Sequence, residues 1–201
     1  TAVTAHEDGK ADYSAEVATL ASAGGDAVAV IGYLDQGGKG IIQGALDSGA
    51  FDKFILSDGM IGDSLTDTFG KDLNKSFGSL PGSTGKGAGV FTKVAKAAGI
   101  DSSGPYTGES YDAAALIVLA MQASGSADRK GIADNVMAVA NGPGKKIYPG
   151  ELKKALDLLA KGKGVNYEGA TGVNFTDVGE AEGSFLEKEI KGGKFKTKKQ
   201  R

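Results

Sequence analysis

Ala27-Val28-Ala29-Val30-Ile31-Gly32-Tyr33, and then Phe51-Asp52-Lys53-Phe54-Ile55-Leu56-Ser57-Asp58-Gly59, are the stretches on which the fold turns. Ala27–Ile31 is an unbroken apolar run without alternation, which suits a parallel strand buried on both faces. Phe51–Leu56 reads as the next strand. Between them Gly38–Leu46 sets Ile41, Ile42 and Ala45 at helical spacing and ends near Gly49. Upstream, Ser14–Ser22 places Val17, Leu20 and Ala21 on one helical face, with Asp12 or Ser14 to cap it and Gly24-Gly25 to close it. The short apolar run Ala2–Ala5 precedes that helix and counts as the first strand, which makes Phe51–Leu56 the third. Strand and helix alternate, so the class is α/β with a parallel sheet.

Working outward, residues 78–89 read as a loop-like break with Pro81 and five glycines. Beyond it the texture is helical: Val90–Ala98, Ser110–Ala123 and Asp128–Ala140. The helix from Ser110 is apolar nearly all round, which predicts burial on every side. Gly142-Pro143-Gly144 is a turn, and Pro149 stands at the start of a helix through Ala160, where proline is tolerated. Short strands return after Gly164. Ser184–Ile190 and Lys194–Lys198, joined by Lys191-Gly192-Gly193, read as a hairpin. There is no internal repeat.

Glycine is the compositional outlier, 33 of 201 residues against a typical ~7 %. It follows no collagen-like period and indicates tight turns and close backbone approaches. With no cysteine, disulfide scaffolds, thiolate metal sites and cysteine nucleophiles are excluded. The longest strongly apolar stretch, Ala113–Ala123, has about half the ~20 residues of a membrane span. Thr1 is neither an initiator methionine nor followed by a signal peptide, so a processed or trimmed chain is expected. The last fourteen residues hold Lys188, Lys191, Lys194, Lys196, Lys198, Lys199 and Arg201 against the single acid Glu189, on an otherwise acidic body. This reads as a solvated terminal strand, since no aromatic platform or nucleic-acid motif accompanies it.

Catalytic motifs fail on inspection. Gly82-Ser83-Thr84-Gly85-Lys86-Gly87 lacks a phosphate loop's first glycine, because Leu80 stands there, and Gly87 replaces the magnesium-binding hydroxyl. Gly108-Glu109-Ser110-Tyr111-Asp112 misses the closing glycine of a nucleophile elbow, and the one histidine, His6, precedes that serine. Asp58, Asp63 and Asp67 lack the spacing of a calcium loop. What remains is positional. Tyr33 and Asp58 each sit just past the carboxyl end of a parallel strand, where open α/β sheets hold their ligands. Gly59 beside Asp58 would allow close approach to the backbone. A helix-capping Asp58 and a rim Tyr33 suit the same positions.

The order of motifs carries a resemblance. Gly9-Lys10-Ala11-Asp12-Tyr13-Ser14, Gly32-Tyr33 at a strand end, Ser57-Asp58-Gly59, Ser103-Gly104-Pro105-Tyr106 running into Tyr111-Asp112-Ala113-Ala114, and Tyr167-Glu168-Gly169-Ala170-Thr171-Gly172 with Phe175 and Asp177 follow in sequence. Together they resemble the branched-chain amino-acid-binding proteins, type I periplasmic solute-binding components of ABC importers. The resemblance implies a clamshell of two parallel-sheet α/β lobes, present here as an incomplete carboxyl-terminal part. Residues 1–80 would be the remainder of the second lobe, 81–163 the later portion of the first, and 164–201 the return crossing with a terminal hairpin. It further implies that Tyr33 is a pocket tyrosine and that Asp58 matches the acid, often glutamate, that binds the ligand's ammonium group. Gly59 would be that acid's neighbour, and Tyr106 an aromatic residue lining the pocket from the first lobe. The family's serine and threonine contacts to the ligand carboxylate lie in a portion without a counterpart here. The implied function is extracytoplasmic, periplasmic capture of an amino acid or analogue for the membrane subunits of an importer, or sensing with the same fold. No catalysis, cofactor, metal or nucleic acid is implied.

Overall fold

A computed structural model describes all of Thr1–Arg201. The chain forms two compact units, Thr1–Leu80 with Leu186–Arg201, and Pro81–Phe185.

In the first unit, helix α1 (Ser14–Ala23) leads to strand β1 (Val28–Val30), α2 (Lys39–Asp47), β2 (Phe54–Leu56), α3 (Asp63–Phe69) and β3 (Phe77–Pro81). The carboxylate of Asp12 accepts the backbone N–H of Ser14 at 3.0 Å and its hydroxyl at 2.7 Å, so the cap expected before α1 is Asp12. β1 pairs in parallel with β2, Val28 opposite Phe54 and Val30 opposite Leu56, and β2 pairs in parallel with β3. The hairpin forms as expected from β8 (Phe185–Ile190) and β9 (Phe195–Gln200), antiparallel with a bulge at Glu187/Lys188. The sheet order is β1-β2-β3-β8-β9. Ile42, Phe54, Met60, Leu65 and Leu73 are fully buried, and each such side chain contributes roughly 1.5–3 kcal/mol by leaving water. Ile41, Ile42 and Ala45 are the buried face of α2. Ser76, buried immediately before β3, accepts the Phe54 N–H on its hydroxyl and the Ile190 N–H on its carbonyl, which ties the sheet together.

Three expectations need correction. Ala27–Ile31 is not buried on both faces: Val28 and Val30 are buried while Ala29 is exposed and Ile31 is 78 % exposed, because side chains alternate along the strand and only one set meets the core. Ala2–Ala5 has strand-like alternation of burial but pairs with nothing in the sheet. Residues 78–89 are not a loop. They hold most of β3 and the start of α4 (Lys86–Ala97). The glycines there serve close approach, for a Cβ on Gly78 would collide with the Leu56 carbonyl and one on Gly87 with the Gly169 carbonyl.

The second unit contains α4, α5 (Thr107–Ser124), α6 (Arg129–Asn141), β4 (Lys145–Ile147), α7 (Leu152–Leu159), β5 (Val165–Tyr167), β6 (Asn174–Phe175) and β7 (Ala181–Glu182). β4 and β5 pair in parallel, while β6 and β7 form a small antiparallel ladder. Asp128 caps α6 by accepting the Gly131 N–H at 2.6 Å. Pro149 precedes α7 by three residues, and the Glu151 carboxylate accepts the Tyr148 N–H instead. Leu119, Ala120, Ile147, Ala155, Val165 and Tyr167 form the core of this unit. The helix expected to be buried all round is α5, yet Ile117 and Val118 are exposed on it, because only its opposite face meets α6 and α7.

Candidate functional site

Tyr33 leaves β1 in an extended conformation (φ −120°, ψ 145°). Its carbonyl accepts the N–H groups of Gln36 at 3.3 Å and Gly38 at 3.1 Å, closing a kinked turn. Gly38 is required there, since a Cβ would strike the Met60 sulfur and come within 2.8 Å of that same carbonyl. The turn holds the Tyr33 ring out toward solvent, 62 % exposed.

Asp58 opens a three-residue helical turn, Asp58–Met60, directly after β2. Its Oδ1 accepts the Gly59 N–H at 2.8 Å, which fixes the carboxylate's orientation. Gly59 in turn lies against the first strand end. A Cβ there would sit 2.5 Å from the Gly32 carbonyl and 2.8 Å from Cδ1 of the Tyr33 ring. The lack of a side chain at residue 59 therefore lets the aromatic ring rest beside the acid's own turn. Tyr33, Asp58 and Gly59 thus come together at the carboxyl ends of β1 and β2.

Two residues that sequence reasoning did not single out hold this arrangement. The Ser57 hydroxyl lies 3.3 Å from both the N–H and the carbonyl of Gly32, bridging the two strand ends. A hydroxyl immediately after a buried strand was the available signal. His6 packs under Gly32, where a Cβ would stand 3.2 Å from its Nε2, and meets the Tyr13 ring edge-on at 5.9 Å. No sequence spacing announces that contact.

Tyr106 belongs to the other unit, at the amino terminus of α5. With φ 61° it is the chain's one non-glycine residue of positive φ, and it is 39 % exposed. Such a conformation is costly for a bulky side chain. Tyr111 nearby is structural: its hydroxyl accepts the Gly150 N–H at 2.9 Å and its ring packs on Phe91. No three His, Asp or Glu side chains gather as a metal site would require. An exposed carboxylate beside a phenol ring can hold a cationic group and cover an aliphatic chain, with a charge-assisted bond worth about 1.5–3 kcal/mol.

No protein-family model matches the sequence. The chain is 43 % identical over 68 residues to the substrate-binding protein BasB of a chemotactic signal transduction system in Halobacterium salinarum, a match covering 34 % of this chain and 16 % of that protein. Solved structures match far more of it. The leucine-binding protein LivK of Thermotoga maritima aligns with a TM-score of 0.67 at 20 % identity, over 96 % of this chain and 49 % of its own. LivJ of Streptococcus pneumoniae, a branched-chain amino acid transporter substrate-binding protein solved with isoleucine, aligns at 0.66 and 17 % identity with the same coverage. A type 1 periplasmic binding protein of Bordetella pertussis aligns at 0.64 and 21 %, over 94 % of this chain and 50 % of its own.

The fold is that of the type I periplasmic binding proteins, as the resemblance in sequence implied. LivK and LivJ are solved examples of that fold, and the chain spans about half the length of each. No helix is long and apolar enough to cross a membrane.

Proposed function

We propose that this chain forms part of an extracytoplasmic solute-binding protein that captures an amino acid or an amino-acid-like molecule without transforming it. The observation that carries the reading is the convergence of Tyr33, Asp58 and Gly59 at two adjacent strand ends. In this reading Asp58 binds the ligand's ammonium group and Tyr33 covers its side chain. Delivery to the membrane subunits of an ABC importer is the transport reading, supported by LivJ being the substrate-binding protein of a branched-chain amino acid transporter. A sensory role is the second reading, favoured by the match to BasB.

Contacts for the ligand carboxylate are not among the residues assigned. Losing two or three bonds to that group, at about 1.5–3 kcal/mol each, turns micromolar affinity into millimolar or weaker. Calorimetric titration of the 201-residue chain with the twenty amino acids should accordingly give no micromolar site. At millimolar leucine or isoleucine, NMR shifts should be confined to Tyr33, Asp58 and Gly59 and should vanish in Asp58→Asn. Shifts that are absent, or that persist in Asp58→Asn, overturn the assignment, and turnover of any ligand overturns the non-catalytic reading.

A further inference from the structure

The β8–β9 hairpin carries its charge in two ways. Along the edge strand β9, Lys196 stands opposite Glu189, while Lys198 and Arg201 share the Glu187 carboxylate at 3.1 and 2.8 Å. Lysines on an edge strand also guard the sheet against pairing with another chain. The turn is built differently. Lys191 and Lys194 face each other across it, one step beyond the Ile190–Phe195 pair, with the Lys191 N–H donating to the Lys194 carbonyl at 3.0 Å. Like charges placed directly opposite each other are destabilising. Both residues are exposed, and both lie outside β9, so guarding its edge does not account for them.

A third lysine joins the pair. Gly193, at φ 73°, packs against the helical turn Gly70–Leu73, where a Cβ would stand 3.0 Å from the Gly70 carbonyl carbon and 3.2 Å from the Lys71 nitrogen. Its N–H donates to Asn74 Oδ1 at 3.0 Å. The lysine-bearing turn is therefore fixed in place beside Lys71, which is also exposed. Lys75, a little further on, is paired with Asp52, and Asp72 is the one acid between Gly70 and Lys75. The hairpin's direction locates this corner. Ile190 donates to the Ser76 carbonyl just before β3, and Gly82 donates to the Ser184 carbonyl just after it, at 2.9 and 3.0 Å. β8 thus runs antiparallel to β3, and its turn lies at the amino ends of the parallel strands. Tyr33 and Asp58 lie at the opposite, carboxyl ends of β1 and β2.

We propose that Lys71, Lys191 and Lys194 dock the first unit on an anionic phospholipid surface, leaving Tyr33 and Asp58 at the far end of the sheet. A plane of phosphate headgroups relieves the mutual repulsion of all three ammonium groups at once, and each lysine near such a surface strengthens association by about fivefold. The rest of the unit sets the orientation. Residues 1–70 hold three lysines against eleven acids, an excess that an anionic surface repels, so contact is confined to this corner. Lipid suits the corner better than other polyanions. Residues 70–75 and 191–194 contain no aromatic ring on which a nucleic-acid base could stack, and the lysines of β9 oppose strand pairing with a polypeptide. The proposal rests on the extracytoplasmic reading only for bringing the chain to a membrane.

The test is co-sedimentation of the 201-residue chain, without amino acid, with vesicles of equal parts phosphatidylcholine and phosphatidylglycerol. The chain should bind these vesicles at low salt, release them in half-molar salt, and ignore pure phosphatidylcholine. Lys71→Glu, Lys191→Glu and Lys194→Glu together should weaken binding at least about twentyfold. The three corresponding glutamine substitutions should weaken it at least about tenfold and serve if the glutamate variant does not fold. Lys93→Glu, Lys96→Glu and Lys161→Glu, at exposed positions of the second unit, make the same change in net charge and should cost less than about threefold. Absence of binding to the phosphatidylglycerol vesicles, or equal losses in the two sets of glutamate substitutions, overturns the proposal. So does polyglutamate or single-stranded DNA that binds the wild-type chain more tightly than the vesicles at equal anionic charge. Titration with leucine in the absence of vesicles tests the capture reading by itself, so the two fail independently.

Discussion

The carboxylate of Asp112, on α5, accepts the phenol of Tyr167, at the end of β5, over 2.9 Å in the buried interior of the second unit. The same carboxylate accepts the backbone N–H groups of Ala170 and Thr171 and the Thr171 hydroxyl, each at 2.8 Å. One buried acid thus satisfies four donors and pins the turn after β5 onto α5. Gly169, at φ 61°, lies so close that any Cβ would collide with the Asp112 carboxyl group.

Asp112→Asn should therefore be strongly destabilising. The amide keeps one acceptor and presents an NH2 group to donors, leaving buried N–H or O–H groups unpaired at about 1–3 kcal/mol each. We expect a loss of about 2–4 kcal/mol by urea denaturation. A loss within 0.5 kcal/mol, roughly what a neutral surface substitution gives, would show that the four bonds are replaceable by water.

Tyr167 supplies a pH dependence. Burial, and then the Asp112 charge, push its phenol far above the ordinary tyrosine range. In the unfolded chain it ionises near ~10. An acid whose folded pKa is raised contributes stability that is complete below the unfolded value and lost as pH climbs from there toward the folded one. Above pH ~10 the unfolded state binds one proton fewer, so this residue alone lowers stability by about 1.4 kcal/mol per pH unit. Comparing wild type with Tyr167→Phe between pH 9 and 11 isolates the effect. The difference should be flat at first and then fall with that slope, and a flat difference throughout would mean that the phenol ionises in place.

The strand ends bearing Tyr33 and Asp58 were legible in the sequence because an apolar run that stops at Gly-Tyr or Ser-Asp-Gly marks the rim of a parallel sheet. The hairpin was legible from its Lys191-Gly192-Gly193 turn. β3 was not, because Gly78 and Pro81 read as breakers when in fact the sheet needs a residue without a side chain against the Leu56 carbonyl. Two-sided burial of β1 was misread for a different reason. Val28-Ala29-Val30 has the composition of a central strand, and composition reports what a strand is suited to meet, whether or not these 201 residues supply it. The positive φ of Tyr106 lay beyond reach, since no residue type announces it.

Gly59→Ala tests the joint between the two strand ends. The added Cβ would press on the Gly32 carbonyl and the Tyr33 ring, at 2.5 and 2.8 Å. The ring is exposed and can swing away, whereas the carbonyl belongs to the backbone beyond β1 and cannot. Overpacking of this kind costs about 1–3 kcal/mol. Stability should fall within that range, and the aromatic resonances of Tyr33 should move with it. Unchanged Tyr33 resonances would detach residue 59 from the aromatic residue of the site.

Tyr106→Gly separates a functional conformation from a structural one. A non-glycine residue in the left-handed region costs about 1–2 kcal/mol, while glycine forfeits about 0.5–1 kcal/mol through greater freedom in the unfolded chain. If the ring serves a ligand, relief of the first term outweighs the second, and the chain should be unchanged or more stable by up to about 1 kcal/mol. If the ring is packing, its removal dominates and stability falls, as for a half-exposed aromatic residue of any core. Thermal denaturation distinguishes the two. Tyr106→Asn provides the control, because asparagine tolerates positive φ and keeps a side chain. Stabilisation by both variants would mark Tyr106 as a residue held in a costly conformation for what it contacts in a bound state, whereas destabilisation by both would make it a packing residue of the second unit.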